Sequence, residues 1–122
     1  MIEVLPESDR SRLEERFSSV GLTPSPESMA MVARSDGEEL GFCLFDLSAD
    51  KLTVRFLTPE NDLALADGIL RSTLHVGVNR EILNADYADT ANEEIFKKLG
   101  FLTETPHALN VEKLFQSCSC GK

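Results

Sequence analysis

The stretch Thr90–Phe101, TANEEIFKKLGF, constrains this chain most, because it reads as one short helix with both ends marked. Thr90 followed three residues later by Glu93 is a capping box, in which a hydroxyl and a carboxylate satisfy two orphan N–H groups reciprocally. Gly100 can take the left-handed backbone that ends a helix, and Phe101 can fold back over Ile95 or Phe96. The segment places a short apolar helix late in a small mixed domain.

A length of 122 residues sets one domain, long enough to bury a core without staples. We expect that domain to span 1–116, with the small polar residues 117–122 as a mobile tail. No stretch approaches the ~18–20 apolar residues of a membrane helix. The opening MIEVLPESDR carries three acids by residue 9 and no basic run ahead of an apolar one, so it does not read as a signal peptide. The net charge of −9 repels phosphate backbones, and no basic cluster offsets it, which argues against nucleic acid as a partner.

Cys43, Cys118 and Cys120 cannot pair completely. Cys43 lies in an apolar, strand-like run, where a free cysteine acts as a small hydrophobe. An odd count in a chain able to form a core points to a reducing compartment, and we assign the cytoplasm. Cys118-Ser-Cys120 supplies two soft ligands where a structural zinc site needs four, and His75 and His107 show no ligand spacing with them, so no metal is expected.

Element by element, Ile2, Val4 and Leu5 form a short strand ended by Pro6. Ser8 or Ser11 then caps a helix whose Leu13, Phe17 and Val20 make one buried stripe, with Gly21 ending it. After the extended loop TPSPES come three strands. Met29–Arg34 turns through Ser35-Asp36-Gly37 into the nearly all-apolar Leu40–Leu47, and Lys51–Thr58 follows. In the last, Leu52, Val54 and Phe56 alternate with Thr53, Arg55 and Leu57. Pro59 stops that strand, and Asp62 caps a long helix with Leu63, Ala66, Leu70, Leu74 and Gly77 at helical spacing. Glu81–Tyr87 reads as a strand, the Thr90 helix follows, and Thr103–Leu109 forms a last strand and candidate homodimer edge. Asn110 caps a final turn, VEKLFQ.

The order β-α-β-β-β-α-β-α-β resembles the GNAT superfamily of N-acetyltransferases, from about Met29 to Phe101. Gly41, Thr58-Pro59-Glu60 and Ile95–Phe101, IFKKLGF, carry the likeness. It implies an α+β domain with a central, mostly antiparallel sheet and helices on both faces. It also implies acetyl-CoA as cofactor, a small-molecule or peptide amine as acceptor, and direct attack of that amine on the thioester. In that family the coenzyme's pyrophosphate lies on backbone N–H groups at the start of the helix after the third meander strand. The backbone of Phe56, Leu57 and Thr58 would bind the pantetheine arm.

The family's phosphate motif is Arg or Gln, two residues, Gly, one residue, then Gly or Ala. Its positions fall on Asp62, Leu65 and Asp67, so every one departs from the pattern. A capping carboxylate at Asp62 occupies the N–H groups a phosphate would use, Leu65 blocks close approach, and only a displaced loop around Asp67-Gly68 offers an alternative. The tyrosine that serves the family as general acid is Phe96 here, and the asparagine seven residues before it is Asp89. Tyr87 stands nearby as either a substitute acid or a strand-end aromatic. Arg55 either binds an anionic substrate or pairs with an acid across the sheet. Two functions follow: a coenzyme-A-dependent N-acyltransferase with a weakened or lost pyrophosphate site, or a non-catalytic relative that binds another small ligand or a protein partner.

Overall fold

The computed structural model describes residues 2–116, and the expected tail lies outside them. Five strands form one open sheet in sequence order, β1 (Ile2–Pro6), β2 (Ser28–Ser35), β3 (Glu38–Leu47), β4 (Leu52–Thr58) and β5 (Ala85–Tyr87). The first four are antiparallel neighbours, and β5 joins β4 in parallel. Helices α1 (Arg10–Ser19), α2 (Leu63–Val78), α3 (Glu93–Leu99) and α4 (Lys113–Gln116) complete the described residues.

The β2–β3 turn forms because Asp36 and Gly37 both take positive φ, 54° and 81°, as a two-residue hairpin of this twist requires. β3 is central, and both its faces are buried. Cys43, Phe45 and Leu47 pack with Ala66, Ile69, Leu70 and Leu74 of α2. On the opposite face Leu44 and Ala30 pack with Leu13 and Phe17 of α1, so helices cover both faces of the sheet. Among the described residues no helix is long and apolar enough to cross a membrane, and no group of three metal-ligating side chains is assembled.

Several local expectations are corrected. Asp9, not Ser8 or Ser11, caps α1, accepting from the N–H groups of Ser11 and Arg12. Asn92, not Thr90, caps α3, accepting the Glu94 N–H at 3.0 Å; the far end closes as expected, with Gly100 at φ 81°. The strand expected over Glu81–Tyr87 shrinks to Ala85–Tyr87, because the chain leaving α2 turns through a left-handed Glu81 before it reaches β4. The last strand reduces to two isolated bridges, Asp86↔Ala108 and Leu102↔Leu109. Asn110 serves the final turn through its backbone carbonyl, which accepts from Lys113.

Candidate functional site

β4 and β5 stay in register only through Leu52↔Ala85, Thr53↔Asp86 and Val54↔Tyr87. The last bond between them runs from the Ala88 N–H to the Val54 carbonyl at 2.8 Å, and the pairing stops there. At the same level β4 carries a bulge: Phe45 opposes Val54, while the next pair is Leu44 with Phe56. Arg55 is the extra residue, and a bulge bends its strand. The bulge also resets the alternation. Leu57, not Phe56, joins Leu52 and Val54 in the core under α2, and Phe56 turns to the α1 side.

Two side-chain bonds fasten the resulting slot. Thr90 Oγ1 donates to the Arg55 carbonyl at 2.8 Å, and Asn92 Nδ2 donates to Glu60 Oε2 at 2.8 Å. A hollow of about 250 Å³ at the mouth is lined by Glu60, Asn61, Asn92, Glu94, Ile95 and Lys98. Sequence reasoning missed Asn92 and Glu60 as a pair, since they lie far apart in the chain. Asn92 did carry a signal of its own: it directly precedes the acidic first turn Glu93-Glu94.

α2 begins on this side of the slot. Asp62 caps it as expected, its Oδ1 accepting the Leu65 N–H at 3.2 Å. Leu65 is half-buried against the main core. Asp67 is engaged by Arg71, Oδ2 to Nε at 2.7 Å, and Arg71 lies over the Phe101 ring. Gly68 sits within the helix with open space where a side chain would be. On β4, Phe56 stacks on Phe42, Leu57 is buried, and Thr58 leads into Pro59 through a cis peptide. Arg55 takes the sheet-pairing arrangement, with Nη1 on Asp46 Oδ2 at 3.1 Å, Nη2 on the Thr23 carbonyl, and its guanidinium over Phe17.

An open five-stranded sheet of this order, with helices on both faces, superposes on solved structures. The ribosomal-protein-alanine N-acetyltransferase of Brucella melitensis biovar Abortus 2308 superposes with a TM-score of 0.64 at 11% identity, covering 86% of this chain and 95% of that one. The fold is that of the GNAT N-acetyltransferases. YhhK of E. coli bound to coenzyme A superposes at 0.59, with 16% identity and coverage of 88% and 95%. The N-acetylglutamate synthase of Neisseria gonorrhoeae, complexed with coenzyme A and N-acetyl-glutamate, superposes at 0.61 with 16% identity, covering 99% of this chain and 33% of that longer one. No family model matches the sequence, and no curated protein does.

The residues at and around the expected general-acid position are placed as follows. Phe96 is fully buried and stacks on Tyr87, ring centroids 4.8 Å apart. Tyr87 is 5% exposed, and its hydroxyl donates to Glu93 Oε2 at 2.9 Å. Burial, then the Glu93 carboxylate, raise the phenol pKa, so the group stays protonated at neutral pH. Asp89 points outward and meets His107, Oδ1 to Nε2 at 2.8 Å. Tyr87, Asp89, Ala91, Glu93, Pro106 and His107 line a second hollow of about 240 Å³ that shares no residue with the slot mouth. His107, which the sequence left in a strand, has a left-handed φ of 68°.

Proposed function

We propose that this protein is a non-catalytic GNAT-fold module, whose slot no longer cradles a coenzyme A pyrophosphate and whose surface binds another small ligand or a protein partner. The observation that carries this is the Asp62 carboxylate on the Leu65 N–H, with Glu60 and Glu94 lining the mouth beside it. An anion at a helix N-terminus gains about 0.3–1 kcal/mol from the macrodipole. Each unit negative charge ~4 Å away costs about 1 kcal/mol even in water, and more where water is displaced. Two or three such carboxylates outweigh the dipole, so repulsion decides.

A second reading, acyl transfer from acetyl-CoA to a primary amine, is favoured by one feature: the β4–β5 splay and its bulge are intact. The amine would bond to the acetyl carbon as the thiolate leaves, and the amine's proton would pass to solvent. Backbone groups of Phe56, Leu57 and Thr58 would hold the pantetheine. With Phe96 at the general-acid position, transfer would forgo a contribution of about 10²–10⁴ in rate.

Thermal unfolding with millimolar acetyl-CoA tests both. A ligand at ~100 times its dissociation constant stabilises a fold by ~2.7 kcal/mol. We expect no shift; a salt-sensitive rise in melting temperature would overturn the first reading in favour of the second.

A further inference from the structure

The hollow beside Tyr87 is independent of the slot. The two meet at the first turn of α3, where Glu93 lines one and Glu94 the other. Its open aromatic face is the half-exposed His107 ring, which lies 4.9 Å from the Tyr87 ring at 44°; Tyr87 is itself 5% exposed and stacked on Phe96. No lysine or arginine lines it.

Its polar atoms are one-sided. The Tyr87 hydroxyl gives its hydrogen to Glu93 Oε2. The His107 Nε2, facing the Asp89 carboxylate, must be the protonated nitrogen. Both side-chain donors are therefore spent. Left over are the other oxygens of Glu93 and Asp89, neither with a partner among the described residues. A hollow with one open aromatic face, rimmed by spare acceptors and two negative charges, is complementary to a flat cation rich in N–H groups.

We infer that this hollow takes the guanidinium group of an arginine side chain from a partner polypeptide. A guanidinium stacks on an aromatic face and meets carboxylates with paired N–H donors, whereas an ammonium is a compact, strongly hydrated point charge. At about 240 Å³ the hollow is smaller than the ~300–1,000 Å³ of ordinary small-molecule sites, so it suits a head group on a longer chain. Asp89, 93% exposed, stands at the rim where such a chain would enter. A free amino acid would bring its own carboxylate to that acidic rim and bind less well.

The test is titration of the whole protein with N-acetyl-arginine methylamide, followed by NMR at the Tyr87 and His107 ring protons. The blocked lysine and citrulline analogues and free arginine serve as parallel arms. The blocked arginine should shift both rings, bind about fivefold or more tightly than the lysine analogue, and exceed free arginine. The citrulline analogue should leave the rings unmoved. Asp89→Asn, at a 93% exposed position, and Glu93→Gln should each weaken binding about two- to tenfold. Equal binding of the lysine and arginine analogues overturns the assignment, as do shifts scattered over the acidic surface that both variants retain. Free arginine binding as well as the blocked form overturns the polypeptide source. None of these outcomes touches the reading of the slot, which the acetyl-CoA titration decides separately.

Discussion

Gly41 of β3 lies directly against Pro59: a β-carbon built on the glycine would sit 2.6 Å from Pro59 Cδ and 2.7 Å from the Thr58 carbonyl oxygen. Neither neighbour is the free end of a flexible side chain, so one must move if a methyl group is added. Gly41→Ala should therefore destabilise by about 1–3 kcal/mol, the usual cost of overpacking. Gly68 is the internal control, a mid-helix glycine with nothing within 4 Å of a built β-carbon. Gly68→Ala should stabilise by up to about 1 kcal/mol, because alanine is the better helix former. Urea unfolding of the two variants should give opposite signs.

Cys43 is fully buried, and burial pushes its thiol pKa up to about 12, well above that of an ordinary cysteine. The unfolded chain thus releases this proton at a lower pH than the folded one. The contribution is complete below pH 9 and is lost as pH rises from there toward about 12, at ~1.4 kcal/mol per pH unit. Unfolding titrations of the native chain and of Cys43→Ala should diverge in that window, the native chain losing stability more steeply. Alkylation at pH 8 with peptide mapping should leave Cys43 unmodified until denaturant is added.

Where the sequence was legible, the controlling interaction was local. Asp36-Gly37 sets its own turn, Asp62 caps the helix it starts, and Gly100 closes the helix it follows. The apolar run in β3 read correctly as buried on both faces because only side-chain type was needed. Reading failed where a distant partner decided. Thr90 has the right spacing for a capping box, yet it bonds to the Arg55 carbonyl, 35 residues away, and Asn92 takes the cap. Strict alternation in β4 broke at Arg55, since a bulge is a property of two strands and not of one. Glu81–Asn84 carries strand-like residues but no neighbouring strand along most of its length, so only Ala85–Tyr87 pairs. For the site, Asp62, Leu65 and Asp67 could be read off one by one, whereas the Thr90 bond across the slot and the Tyr87–His107 contact could not, because each joins residues far apart in the chain.

Arg16 holds α1 to the β2–β3 hairpin. Its Nη1 and Nη2 each meet one oxygen of Glu39 at 2.6 Å, and Glu7 accepts from the same guanidinium at 3.1 Å. The two-pronged bond to Arg16 is the main cause holding the Glu39 carboxyl below its usual range. A lowered pKa in the folded state adds stability above the ordinary carboxylate range and loses it as pH falls through that range. The native chain should therefore weaken more steeply than Glu39→Gln between roughly pH 5 and pH 3. Parallel acid unfolding curves for the two would remove this fork from the causes of acid sensitivity. Because Glu39 is partly exposed, the difference should shrink in 1 M salt.

The Thr90 bond across the slot makes the last prediction. Thr90→Val keeps the β-branched shape but deletes the hydroxyl that donates to the Arg55 carbonyl. Loss of one such bond costs about 0.5–1.5 kcal/mol, and the carbonyl is left facing the slot. Hydrogen exchange should quicken around Ala88–Asn92 and leave the β2–β3 pairing unchanged. Combining Thr90→Val with Asp62→Asn, which keeps a capping oxygen while removing its charge, frees the slot of one plug and one repulsion. If charge and closure alone keep a diphosphate out, acetyl-CoA binding should become measurable in the double variant while Asp62→Ala, which loses the cap, unfolds at lower temperature. If the double variant still binds nothing at millimolar ligand, the obstacle is the shape set by Leu65 and the missing glycines, and charge is secondary.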